Sequence, residues 1–354
     1  MRKFIPISTI ATAPPPLSPS TTLPSPLSDY NGIGMVLFPA IPIADSAFDI
    51  ATLSLISCLT LLSVLSLCFI FHLRLKSRIS HHLQNFISLW SVRLLLVSFA
   101  AAWALNEILR LPFFHRHYLY PFLPNFTLSQ QSNLCKIHIV LSLGLFEPGF
   151  LITLLFLLNV SIKKRTPRDI SAISLIFFSC TPVLVLQLFF LFFSPLQNQL
   201  PNILQTSSIL LIDSFDNKIL RCTYPIFSTI VFAAFVMAYT LGLLFSYWRV
   251  VSLVINKSTR VRIHALAFSV LICLPLQILF LASSSFWRPG TAAYGGVMFG
   301  MFISVAVCVA VGESVLVIRP IADALAAGGE YCRWKDKVCV RAEVGRREAV
   351  DRDL

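Results

Sequence analysis

Residues 135–160 read CKIHIVLSLGLFEPGFLITLLFLLNV, from Cys135 to Val160. Past Lys136 the run has one carboxylate, Glu147, and one imidazole, His138. A helix of that length, at 1.5 Å per residue, is roughly 39 Å long, which exceeds the ~30 Å hydrocarbon core of a bilayer. A surface helix of a soluble protein keeps one polar face, and this stretch is apolar all round. It reads as a membrane-crossing helix.

The same pattern recurs on both sides of it. Apolar runs cover residues 48–71, 83–109, 135–160, 170–193, 224–248, 265–287 and 291–318. The fold class expected is all-α integral membrane, a bundle of about seven transmembrane helices. Composition agrees: the 354 residues are 56% hydrophobic with 30 Phe, and only 12% are charged. A soluble domain carries roughly a quarter charged residues, so lipid must act as the solvent here.

The organisation expected has three parts. Residues 1–47 form a disordered segment rich in Pro, Ser and Thr, 48–318 the seven-helix domain, and 319–354 a basic tail. The opening Met1-Arg2-Lys3 and Phe4-Ile5 hint at a signal peptide, but Pro6 breaks the run. The absence of acidic residues before Asp29 also permits an organelle transit peptide.

Charge sets the orientation. The net charge is +12, yet the basic residues are scattered between apolar runs rather than gathered into one stripe. No nucleic-acid partner is expected, because phosphate binding needs a contiguous basic surface. Over the connecting loops Lys and Arg divide 11 to 6 in favour of one side, the side that also bears the C-terminal tail. Cytoplasmic loops hold the excess, so the N-terminus is expected outside and the C-terminus in the cytoplasm. Asn125-Phe126-Thr127 is a glycosylation sequon in a loop on the outer side, which agrees with that topology. A multi-pass protein of the plasma membrane or a secretory endomembrane follows, with an organelle membrane as the alternative.

Under that topology Cys135 and Cys222 are the two cysteines on the oxidising side. They are expected to form a disulfide, with two free boundary thiols as the alternative. Cys332 and Cys339 in the tail are candidates for acylation, beside a short amphipathic stretch at Ile318, Ile321 and Leu325. A simple solvated tail is the other reading.

Seven helices, an outer N-terminus and a cysteine heading helix three opposite one before helix five resemble the G-protein-coupled receptors. Cys273-Leu274-Pro275 is similar to the Cys-x-x-Pro region of the rhodopsin-like class with one residue removed. Leu157-Leu158-Asn159-Val160-Ser161 lacks that class's acidic-Arg-aromatic triplet, and Glu313–Ile318 lacks Asn-Pro-x-x-Tyr. The resemblance is one of topology, extending to plant heptahelical proteins and nematode chemoreceptors. It implies a receptor-like protein with an unknown small ligand and a cytoplasmic signalling or scaffold partner.

Ionisable residues within membrane spans mark candidate sites. Counted from the span limits, Arg93 and Glu147 both fall roughly 15–20 Å deep, so an ion pair between them is expected, as a polar switch or a packing lock. Asn106, Glu107 and Arg110 cluster near the outer end of helix two, opposite His138. They would line an outward-facing mouth or reach water at the interface. Gln187 and Gln277 are expected to bond across helices. Pro148, Pro182 and Pro275 are expected to kink helices three, four and six.

Enzymatic chemistry is not expected. Of seven histidines only His138 lies clearly within a span, so no set of metal ligands assembles, and no phosphate loop or cofactor motif is present. Two other functions remain open: a membrane scaffold for other proteins, and a small-solute transporter. Transport carriers often contain inverted repeats, and helices one to three share no Pro, Gly or charge spacing with five to seven.

Overall fold

The computed structural model describes residues 34–35, 42–77, 90–111, 127–160, 169–192, 207–212, 218–253 and 257–323. Seven helices dominate: α1 Pro42–Ser77, α2 Trp90–Ile108, α3 Leu128–Val160, α4 Asp169–Phe192, α5 Ile226–Leu253, α6 Lys257–Ser284 and α7 Ala292–Asp323. Each contains a stretch long and apolar enough to cross a membrane.

The helix limits depart from the hydropathy runs where polar chemistry sets the end. α3 begins seven residues before Cys135 because Thr127 caps it. The Thr127 hydroxyl accepts from Gln130 N while the Gln130 side chain accepts from Thr127 N, a reciprocal capping box. α7 starts after Thr291, whose hydroxyl accepts from Tyr294 N at 3.3 Å. The tight turn before it uses Gly290 at φ 98°, a conformation that residues with a Cβ resist. α1 starts at Pro42, inside the segment expected to be disordered.

α2, in contrast, begins at Trp90 rather than 83. That change moves Arg93 into the first turn.

Neighbouring helices close a ring, α1–α2–α4–α5–α6–α7 and back to α1, with α3 running through the middle. The most apolar window of α3 is 67% buried, whereas those of α1 and α4 are 28% buried. The outer helices turn large apolar side chains outward, among them Leu61, Phe178, Met237, Phe245 and Phe268. Inside lie Glu107, His138, Glu147, Gln187, Gln277 and Glu313. An apolar exterior around a partly polar interior is the surface of a protein that sits in lipid.

A small sheet adds to this frame. β1 Gly34–Met35 runs parallel to β2 Ser208–Ile212, which pairs antiparallel with β3 Lys218–Cys222. Strands were not expected, since hydropathy read the region only as the connection between helices four and five. β3 ends at Cys222, which faces Cys135 of α3 with Cα atoms 5.4 Å apart and sulfurs at bonding distance. This cysteine-pair end of the bundle also holds the C-terminus of α2 and the N-terminus of α7.

Among the described residues, two wide turns interrupt the helices. Ser142–Phe146 in α3 and Ser314–Ile318 in α7 are π-helical. Glu147 N bonds to Ser142 O, and Arg319 N to Ser314 O. A proline, Pro148 or Pro320, stands two residues after each. A proline ring clashes with the carbonyl four residues back and offers no N–H, and the wide turn absorbs that mismatch. Pro148 therefore comes with a π turn rather than a simple kink. Pro182 and Pro275 lie within α4 and α6.

Candidate functional site: a polar chain inside the bundle

Glu147 is the centre of the interior. Its carboxylate accepts from Trp103 Nε1 of α2 at 3.1 Å and from Ser142 Oγ at 3.0 Å, and Gln277 Nε2 of α6 donates to its other oxygen. Three helices thus meet on one side chain that is 5% exposed. The partners are neutral donors, and among the described residues no cation pairs with Glu147. Burying a carboxylate is costly, and this donor set offsets part of that cost.

The expected Arg93–Glu147 pair does not form. Arg93 lies ten residues before Trp103 on α2, roughly 15 Å along the helix axis, near the end opposite the cysteine pair. Its Nε is buried without a hydrogen-bond acceptor. The hydropathy run placed the helix start too early, and with it the arginine too deep.

Asn106, Glu107 and His138 do come together, but in the interior rather than at an open mouth. Each is at most 5% exposed. Asn106 Nδ2 donates to the His138 carbonyl at 3.1 Å, and His138 Nδ1 lies 3.0 Å from the Asn106 carbonyl. A carbonyl only accepts, so Nδ1 carries the proton. In the neutral ring Nε2 then accepts from Tyr224 Oη, 3.2 Å away. Glu107 lies 3.9 Å from the same nitrogen.

Arg110 Nε approaches Glu107 Oε2 to 3.1 Å, although neither atom has an aligned hydrogen bond, so this is a charge contact. Burial works against the Arg110 charge, but the Glu107 carboxylate together with Tyr224, Tyr294 and Asp49 outweighs it, and its pKa lies above the ordinary guanidinium value. Arg110 faces a cleft of about 40 Å³ at the cysteine-pair end, lined also by Asp49, Arg221, Cys222 and Tyr294. Tyr294 Oη donates to the Cys222 carbonyl at 3.2 Å, tying α7 to β3.

A chain of contacts therefore leads inward. Arg110 meets Glu107, Ser142 Oγ lies 3.5 Å from Glu107 and 3.0 Å from Glu147, and Gln277 receives the end of the chain on α6. Beyond Glu147 a cavity of about 20 Å³, lined by Trp103, Gln277, Ser304 and Cys308, has room for one water. Past it the Phe150 ring lies against Gly312, where an added Cβ would come within 2.8 Å.

Sequence reasoning missed a second interior carboxylate site. Glu313 of α7, wholly buried, accepts from Ser63 Oγ at 2.8 Å and Ser66 Oγ at 3.2 Å, both on α1. Two serines three apart on one helix face, with a lone glutamate in another span, were the available signal. Gln187 and Gln277 do bond across helices, Gln187 to the Ser228 carbonyl at 2.9 Å. Asn125, Cys332 and Cys339 lie outside the described residues. Among the described residues no three His, Cys, Asp or Glu gather as metal ligands.

This architecture defines the class: a multi-pass helical protein with seven helices able to cross a bilayer. Within that class, the chain belongs to the family described as Uncharacterised conserved protein UCP031277, matched over residues 38–331. No curated protein matches the chain.

Proposed function

We propose that the protein is a heptahelical receptor-like membrane protein. It takes a small ligand at the cysteine-pair end and signals through basic loops at the other. The observation that carries this reading is the contact chain Arg110–Glu107–Ser142–Glu147–Gln277, which links the cleft to α6. A ligand that draws on Arg110 alters the charge beside Glu107, and the polar chain passes that change to the helix whose other end is basic. The Lys and Arg distribution supports an outer N-terminus and a cytoplasmic C-terminus. In that orientation Cys135–Cys222 is an oxidised bridge, Asn125 a glycan acceptor, and Cys332 and Cys339 acylation sites.

A small-solute transporter is the second reading, supported by Glu313. It places a second interior carboxylate beyond the Phe150 ring from Glu147, and carboxylate chains mark substrate or proton paths in carriers.

The test is a thermal-shift screen of purified protein against small solutes, followed by vesicle flux for each hit. The receptor reading expects a stabilising solute that does not cross, with stabilisation reduced in Gln277→Ala. Saturable flux of the same solute favours the carrier instead. Absence of any hit, with partners co-purifying from native membranes, favours a scaffold and overturns both.

A further inference from the structure

A concavity larger than the cleft or the interior cavity lies away from the polar chain, between α6 and α7 at the end opposite the cysteine pair. It encloses about 670 Å³. Its floor changes character with depth. Arg262 and Ser258, near the start of α6, and Arg319, near the end of α7, line the part closest to the helix ends, with Ser314 deeper. Ala265 and Ala310 lie roughly 12 Å or more inward from those ends at 1.5 Å per residue, with Val261, Val311 and Val315 completing the walls. The two alanines explain why a groove exists here, because the exposed apolar positions elsewhere on α6 are Phe268, Ile272, Leu276 and Leu279.

Charge at this end is one-sided. The adjoining ends of α5, α6 and α7 carry Arg249, Lys257, Arg260, Arg262 and Arg319, against the single exposed carboxylate of Asp323 among the described residues. Asp323 pairs with Arg262. Arg319 is exposed and has no ion-pair partner among the described residues. A cationic rim at the membrane boundary that continues inward as an apolar slot matches one kind of molecule: an anionic headgroup on an acyl chain.

We propose that this groove binds an anionic phospholipid. Its phosphate sits between Arg262 and Arg319, on the side of Ser258, and one acyl chain runs inward past Ser314 along Ala265 and Ala310. Asp323 competes with the phosphate for Arg262 and so limits affinity. The site does not depend on the receptor reading, since it shares no residue with the polar chain.

Native mass spectrometry of the full-length protein tests it, with equal amounts of phosphatidylglycerol and phosphatidylcholine of the same chain length. The anionic lipid should be retained in preference, by about fivefold for each cation that meets the phosphate. Arg262→Gln with Arg319→Gln should bring the two lipids to parity, and Arg249→Gln, outside the groove, should leave the preference intact. Asp323→Asn should raise the preference, a gain that misfolding cannot imitate. Ala310→Phe, which fills the slot, should reduce retention of the anionic lipid. Equal retention of both lipids by the unmodified protein overturns the site, as does a preference that the double arginine change leaves untouched. Displacement by glycerol phosphate as effective as by the lipid overturns the acyl part of the proposal.

Discussion

Asn106 and His138 each hydrogen-bond the other's backbone carbonyl, at 3.1 and 3.0 Å, and so clasp α2 to α3. The clasp fixes the imidazole tautomer and turns its second nitrogen toward Tyr224. Both helices keep their own ladders while the side chains cross between them, which lipid, unlike water, cannot replace. Removing either side chain leaves the facing carbonyl with only its backbone donor, Leu109 N on the Asn106 carbonyl or Ser142 N on the His138 carbonyl. Asn106→Ala and His138→Ala should each lower stability by about 1–3 kcal/mol. The double change should cost less than the sum, because the two bonds form one unit. Thermal unfolding in detergent gives all three values.

Cys135 and Cys222 tie the start of α3 to β3. Removing a native disulfide costs about 2–5 kcal/mol. Cys135→Ser and Cys222→Ser should reduce surface expression equally, and the double change should be no worse than either. Peptide mapping under non-reducing conditions is the direct measurement; two alkylatable thiols in protein from native membranes would exclude the bridge.

Glu147→Ala and Glu147→Gln separate burial from charge. The alanine variant strands three buried donors on Trp103, Ser142 and Gln277, at about 1–3 kcal/mol for each one left unsatisfied. The glutamine variant keeps the size and one acceptor oxygen, so it should fold with a smaller loss. If alanine proves the milder change in an unfolding assay, Glu147 does not organise the core.

Gly149 meets the Phe99 ring, where an added Cβ would come within 2.7–2.9 Å of three ring atoms. Gly149→Ala should destabilise by about 1–3 kcal/mol through overpacking. Phe99→Leu in the same chain should recover part of that, a coupling that a double-mutant cycle reads directly.

Orientation follows from labelling. Impermeant thiol reagents should reach Cys332 and Cys339 only from the cytoplasmic side, and Asn125→Gln should abolish a glycan-dependent mobility shift. Labelling of both cysteines from outside intact cells would reverse the proposed topology.

What the sequence made legible was what depends on bulk composition. Seven apolar runs located seven helices, because the energy that decides a span is a sum over about 20 residues and tolerates local error. Cys135 and Cys222 could be matched because topology left them on one side. The Arg93–Glu147 pair failed for the opposite reason: it needed the start of α2 to within a turn, and hydropathy extends a run through any apolar neighbour, here Leu83 to Leu89. Glu147 drew attention as a charge in a span and Gln277 as an amide expected to bond across helices, while Trp103 and Ser142 did not stand out, and nothing joined the four. Such residues are ordinary in membrane helices, and only the packing of α2, α3 and α6 brings them to one carboxylate. The strands were hidden because Ser208–Ile212 is a short apolar run whose pairing with Lys218–Cys222 hydropathy does not report.

Ser142 and Glu147 stand five residues apart. In a regular helix, where each residue advances about 100°, positions five apart point some 140° away from each other. They touch here because the π turn between them lags the screw by one residue and brings both onto one azimuth. Losing one residue from Leu143–Phe146 would restore the regular screw and leave the pair four apart, still on the same face. Rewinding the five residues as a regular helix without a deletion would instead swing everything before Ser142 by about 100° relative to everything after Glu147, carrying His138 away from Asn106 and Cys135 away from Cys222. The wide turn thus takes up one extra residue while holding the two halves of α3 in phase.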